Sequence, residues 1–114
     1  MTEERRKFPR VRISVEVEAK HSDWPLIKAK SSDISVGGIR LFLPNKLPKG
    51  KVMELEVSLP FPPVVTHGKV VWIKEVKTKE GKFFQTGIEF TELKPTDKAK
   101  IEAFIRDECL VIPF

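Results

Sequence analysis

The sequence predicts a small all-β barrel closed by one C-terminal helix, and three observations lead there. Apolar and polar residues alternate with a period of two through several short segments. Gly and Pro punctuate those segments. The period changes to a helical one only after Pro95, so nothing resembles the repeating strand–helix–strand pattern of a parallel sheet.

Val11, Ile13, Val15 and Val17 alternate with Arg12, Ser14, Glu16 and Glu18, which predicts a half-buried strand from about Val11 to Ala19. Residues 21–25 read as a turn, and a second strand runs from Leu26 toward Ile34. Gly37 and Gly38 break the chain, and Ile39 to Leu43 forms a short third strand ended by Pro44-Asn45 and the Pro48-Lys49-Gly50 turn. The fourth strand alternates through Val52, Leu55, Val57 and Leu59. The fifth follows the Pro-rich segment 60–63 and runs from Val64 to Val76. Lys79 to Lys82 is a hairpin-type turn, and Phe83 to Phe90 is the sixth strand. Six short strands joined by turns favour a barrel.

Ile101, Phe104, Ile105 and Cys109 fall on one face of a helix at about 96–109. Pro95 suits its start, and Thr96 or Asp97 can cap its free N–H groups. The tail, residues 110–114, is apolar and suits packing on the barrel or on another subunit.

The chain has 114 residues, the size of one domain. Its 21 Lys and Arg against 16 Asp and Glu give a net charge of +5, which favours an anionic partner without naming one. Cys109 is the only cysteine, which excludes an intrachain disulfide and a cysteine-based zinc site. The charged residues 1–7 lead into no apolar stretch, so no signal peptide is expected. No apolar run approaches the ~20 residues that span a bilayer. The expected compartment is therefore the cytoplasm, without membrane insertion. His21 and His67 lie in or beside turns with no second ligand at metal-binding spacing, so no metal site is expected. Glu54 and Glu56 share a strand face whose default is solvent. No catalytic constellation emerges, and no enzyme is expected.

Two short motifs carry functional information. Arg5-Arg6-Lys7-Phe8-Pro9-Arg10 precedes the first strand. Its plain reading is a solvated basic arm. Its functional reading rests on the guanidinium, a planar fork of donors that grips phosphate bidentately and stacks on a purine face. Asp33-Ile34-Ser35-Val36-Gly37-Gly38 lies between the second and third strands. Its plain reading is a tight turn in which Asp33 and Ser35 bond the backbone and the glycines take positive φ. Its functional reading matches the carboxylate to the N1–H and N2–H₂ donors of guanine, with Gly38 leaving room for a flat ligand.

Together the motifs resemble the two signatures of the PilZ family, R-x-x-x-R and [DN]-x-S-x-x-G, in the same order. Arg6 and Arg10 match the first, with Arg5 as the extra leading arginine. Asp33, Ser35 and Gly38 match the second, and Gly68 to Trp72 and Gly87 to Phe90 also resemble the family. The resemblance implies a six-stranded antiparallel β-barrel of PilZ type, with a flexible arm at residues 1–10 and the barrel and helix at 11–114. It implies a stand-alone, non-enzymatic receptor for cyclic di-GMP that needs no cofactor. Arg5, Arg6 and Arg10 would hold phosphate and guanine, and Asp33 and Ser35 would read a guanine edge. Trp72 is a weaker candidate, since strand aromatics normally pack inward. Binding would order the arm and present a new surface to a downstream protein, which the sequence does not name; nor does it fix the oligomeric state.

Two alternatives stay open. One is a docking domain of the same fold that binds no ligand, although such members typically lack the arginines. The other is a small basic barrel that binds RNA or single-stranded DNA. Nucleic acid is disfavoured because the aromatics sit at core-like positions rather than on a basic face.

Overall fold

The computed structural model describes residues 14–59 and 62–111, with side chains up to residue 107. Six strands form: β1 (Glu16–His21), β2 (Trp24–Ile34), β3 (Gly38–Leu43), β4 (Val52–Val57), β5 (Val64–Thr78) and β6 (Gly81–Phe90). They close into a barrel in the order β1-β2-β3-β6-β5-β4, every neighbouring pair antiparallel. A helix, α1 (Pro95–Val111), follows. The expected six-stranded antiparallel barrel with a closing helix is the observed architecture.

Alternation explains the core. Val17, Leu41, Leu55, Val57, Val64 and Val70 point inward and are at most 1% exposed, while Glu16, Phe42, Glu54 and Val65 face outward. Ile101, Phe104 and Ile105 of α1 join the same apolar cluster, so the helix covers part of the barrel with its apolar stripe. The cap differs from expectation. Lys98 N–H donates to Lys94 O at 2.8 Å, which makes Lys94 the N-cap and Pro95 the first helical residue. Proline suits that position because its missing N–H would have had no helical partner. Asp97 sits in the first turn, where a carboxylate meets the positive end of the helix dipole.

Several boundaries also shift. The first strand starts at Glu16; Ser14 and Val15 precede it, and the expected start at Val11 lies outside the described residues. The turn foreseen over 21–25 narrows to Ser22-Asp23, because His21 pairs with Trp24 and stacks on its ring at 4.2 Å. Strand β4 stops at Val57, short of Leu59, while β5 extends past Val76 to Thr78 and β6 begins at Gly81. The β5–β6 ladder therefore reaches Thr78↔Gly81, whereas β3 leaves β6 at Leu43↔Phe84 and β4 leaves β5 at Val52↔Lys69. The hairpin projects beyond its neighbours at one end of the barrel. At that end residues 44–51 cross the mouth from β3 to β4, and Leu47, 5% exposed, plugs it. Gly50 N–H donates to Val70 O at 2.8 Å and pins this crossing to β5.

The opposite end positions the site. Strand β1 begins there, β2 ends there, and the turn of residues 35–37 leads into β3. Ser31 N–H donates to Val15 O at 2.9 Å, and Val15 N–H donates to Ser31 Oγ at 3.0 Å. The chain therefore enters β1 beside the end of β2 that carries Asp33.

Two bulges decide which face the neighbouring residues take. On β2, Ser31 pairs with Leu41 but Asp33 pairs with Arg40, so Ser32 is an extra residue. On β5, Val70 pairs with Ile88 but Trp72 pairs with Gly87, so Val71 is extra. Each insertion inverts the alternation beyond it. Asp33 and Trp72 would follow Ser31 and Val70 inward on an unbroken strand; the bulges turn both to the outer face.

Candidate ligand-binding site

With the two bulges in place, one row crosses the outside of four strands: Asp33 on β2, Arg40 on β3, Gly87 on β6 and Trp72 on β5. Three strand spacings make this row about 14 Å long. The Arg40 Nε lies 3.3 Å from Asp33 Oδ2, with the Asp33 side chain 8% exposed and that of Arg40 34% exposed. The Nε–H makes no aligned hydrogen bond, so the pair is held by charge rather than by a directed bond. On its other side the Arg40 guanidinium stands over the Trp72 ring, 5.4 Å from the centroid. Gly87 makes this possible. A methyl group there would overlap the Trp72 indole, so only glycine lets the ring settle on the β6 backbone.

The corner beside the row is a tight loop. Ser35 N–H donates to Gly38 O at 2.9 Å, and Gly37 N–H donates to the Ser35 hydroxyl at 3.1 Å. Phe90 N–H donates to Gly37 O at 3.0 Å, which ties the loop to the end of β6. Ser35 is buried, at 2% exposed. The expected positive φ at Gly37 and Gly38 is absent; among the described residues only Gly50 and Gly81 adopt it. Gly38 has another reason to be glycine. A side chain there would overlap the Ile88 carbonyl oxygen, so its missing Cβ lets β3 approach β6.

The structure thus brings Asp33, Ser35, Gly38 and Trp72 to one side of the barrel. Arg5, Arg6 and Arg10 lie outside the described residues. Trp72 is half-buried on the outer face, not in the core. Arg40 was missed by sequence reasoning, although a signal existed. It is the one charged residue in Ile39-Arg40-Leu41-Phe42-Leu43, and strict alternation places it outward with Phe42. Among the described residues no group of His, Cys, Asp or Glu could hold a metal ion, and no helix is long and apolar enough to cross a membrane.

A family model, that of the PilZ domain, matches residues 4–107. The chain belongs to the PilZ family. Three solved structures illustrate the likeness. The Bacillus subtilis inhibitor of motility MotI/DgrA shares 20% identity over 95% of this chain and 53% of its own, with a TM-score of 0.78. The PilZ domain of YcgR from Escherichia coli, solved with c-di-GMP, shares 18% identity over 95% of this chain and 99% of its own, TM-score 0.73. The K. pneumonia MrkH–c-di-GMP complex shares 18% identity over 92% of this chain and 52% of its own, TM-score 0.77. At these identities the likeness is one of fold. The chain spans about half the length of MotI and MrkH and nearly all of the YcgR domain. No curated protein matches it in sequence.

Proposed function

We propose that this PilZ domain is a non-enzymatic receptor for cyclic di-GMP, clamped between the arginines of residues 5–10 and the corner formed by Asp33, Ser35 and Gly38. The observation that carries the reading is the point of entry of β1. The Val15–Ser31 hydrogen bonds put the start of the first strand two residues from Asp33 along β2. Arg10 is five residues before Val15, a reach of at most about 17 Å. That length of chain is enough to span from the entry of β1 to the corner. YcgR and MrkH, of the same fold, were each solved with c-di-GMP, which supports the choice of ligand.

The chemistry divides between the two parts. An ionised carboxylate only accepts hydrogen bonds, which suits Asp33 to the N1–H and N2–H₂ donors of guanine. With the Asp33 side chain 8% exposed, a ligand reaches it only through a rearrangement at this corner. In our reading that rearrangement opens the corner, and the arm then closes over the bound ligand. Charge-assisted bonds from the arginines to phosphate offset the entropy lost in fixing the segment. Arg40 and Trp72 hold the outward face of the carboxylate in register and extend the contact surface along the row.

Calorimetric titration with cyclic di-GMP, against GTP and a short single-stranded oligonucleotide, tests the reading. Saturable binding of the cyclic dinucleotide alone is the expected result. Binding of the oligonucleotide alone would overturn it, and no binding at all would leave a ligand-free docking domain.

A further inference from the structure

Next to Trp72, on the side toward the projecting β5–β6 hairpin, lies an open concavity of about 540 Å³. It is lined by Lys46, Leu47, Pro48, Lys49, Trp72 and Ile73. Its walls come from two sources. The crossing of residues 44–51 contributes the lysines and Pro48 over the buried Leu47 anchor, and β5 contributes Trp72 and Ile73. Both lysines are exposed, and among the described residues neither has a carboxylate within ion-pairing distance. Lys51, Lys82 and Lys100 by contrast each have one. The concavity therefore combines an apolar wall with two uncompensated positive charges.

We propose that this cleft docks an acidic peptide segment of a partner protein, with an apolar side chain seated against Leu47, Pro48 and Ile73 and carboxylates meeting Lys46 and Lys49. Charge complementarity selects the acidic flank. The indole argues against a nucleobase as the occupant. Trp72 rests on Gly87 and carries Arg40 over its ring, so a base would have to displace the guanidinium to stack. The wide opening suits a segment of chain more than an enclosed small molecule, whose surface would need to be mostly buried. Trp72 also gives the cleft a link to the ligand row, because the ring bordering the cleft is the ring that Arg40 covers. A ligand held at Asp33 would therefore bear, through Arg40, on the wall the peptide meets. This link rests on the proposed receptor function; the docking itself does not.

The test is a set of amide and indole N–H NMR spectra titrated with a short peptide of alternating Asp and Leu. A Lys–Leu peptide of the same pattern and inorganic phosphate serve as the other arms. The expected result is saturable shifts at the amides of Lys46, Leu47, Lys49 and Ile73 and at the Trp72 indole N–H with the acidic peptide alone. Lys46→Glu with Lys49→Glu should weaken binding at least tenfold, and the milder Lys46→Gln with Lys49→Gln severalfold, while cyclic di-GMP titration is unchanged. Equal shifts with phosphate would make this a small-anion site and overturn the proposal. Shifts centred elsewhere, equal response to the basic peptide, or full binding by both double variants would do the same. Peptide binding without any cyclic di-GMP binding would leave the cleft standing and remove only its link to the row.

Discussion

The Nε of Arg40 lies 3.3 Å from Oδ2 of Asp33, two residues brought face to face because Ser32 bulges out of β2. Asp33 is nearly covered and Arg40 only partly so. This pair belongs between the exposed ion pairs worth under about 1 kcal/mol and the buried ones whose breakage costs about 3–5 kcal/mol. Arg40→Met should therefore lower stability by about 1–2 kcal/mol in urea unfolding. Asp33→Asn should cost less in that background than in the wild-type protein, the difference being the energy of this contact. Strictly additive losses in that double-mutant cycle would mean the contact carries no energy.

Gly87 gives a second test. Gly87→Ala places a methyl group where the Trp72 indole now rests, so the ring must lift or the strands must part. Overpacking of this kind costs about 1–3 kcal/mol. The released indole should gain solvent exposure, seen as a red shift in tryptophan emission. An unchanged spectrum and midpoint would show that the ring does not depend on Gly87.

For the proposed receptor, Arg6→Ala or Arg10→Ala should weaken cyclic di-GMP at least tenfold, about 1.4 kcal/mol. The melting temperature of the ligand-free protein should stay nearly constant. Calorimetry giving wild-type affinity for both variants would remove the arginines from the site.

Ligand should also stabilise the fold it binds. At a hundredfold excess over its dissociation constant, cyclic di-GMP should add about 2.7 kcal/mol by mass action. A thermal melt with and without ligand reads this directly. Asp33→Ala should abolish the increment along with part of the basal stability.

The barrel interior supplies a control independent of ligand. Leu55 is 0% exposed in the centre of β4, and Leu55→Ala should cost about 2–5 kcal/mol through lost burial and the cavity left behind. Val65→Ala, at a position 48% exposed on the outer face, should change stability by under about 0.5 kcal/mol.

Much of this was legible in the residues themselves. Alternation placed the inner faces at Val15 and Val17 and again at Leu55 and Val57, whereas Val52, read with them, turns outward at 46% exposed and Met53 takes the inner position beside it. The helical stripe of Ile101, Phe104 and Ile105 was equally plain. The corner of Asp33, Ser35 and Gly38 could be recognised by spacing alone, though not the reason for its glycine. That reason lies on β6, at the Ile88 carbonyl some fifty residues away.

By itself, then, the sequence determined the count of strands, the closing helix and the family, because local period and turn chemistry are written in adjacent residues. Only the tertiary structure decided that Asp33, Arg40 and Trp72 share one outer row, and that the 44–51 crossing shapes a basic cleft beside it. A bulge is a property of two paired strands, one holding an extra residue against its neighbour. No single strand's pattern announces it, yet it inverts every side chain that follows.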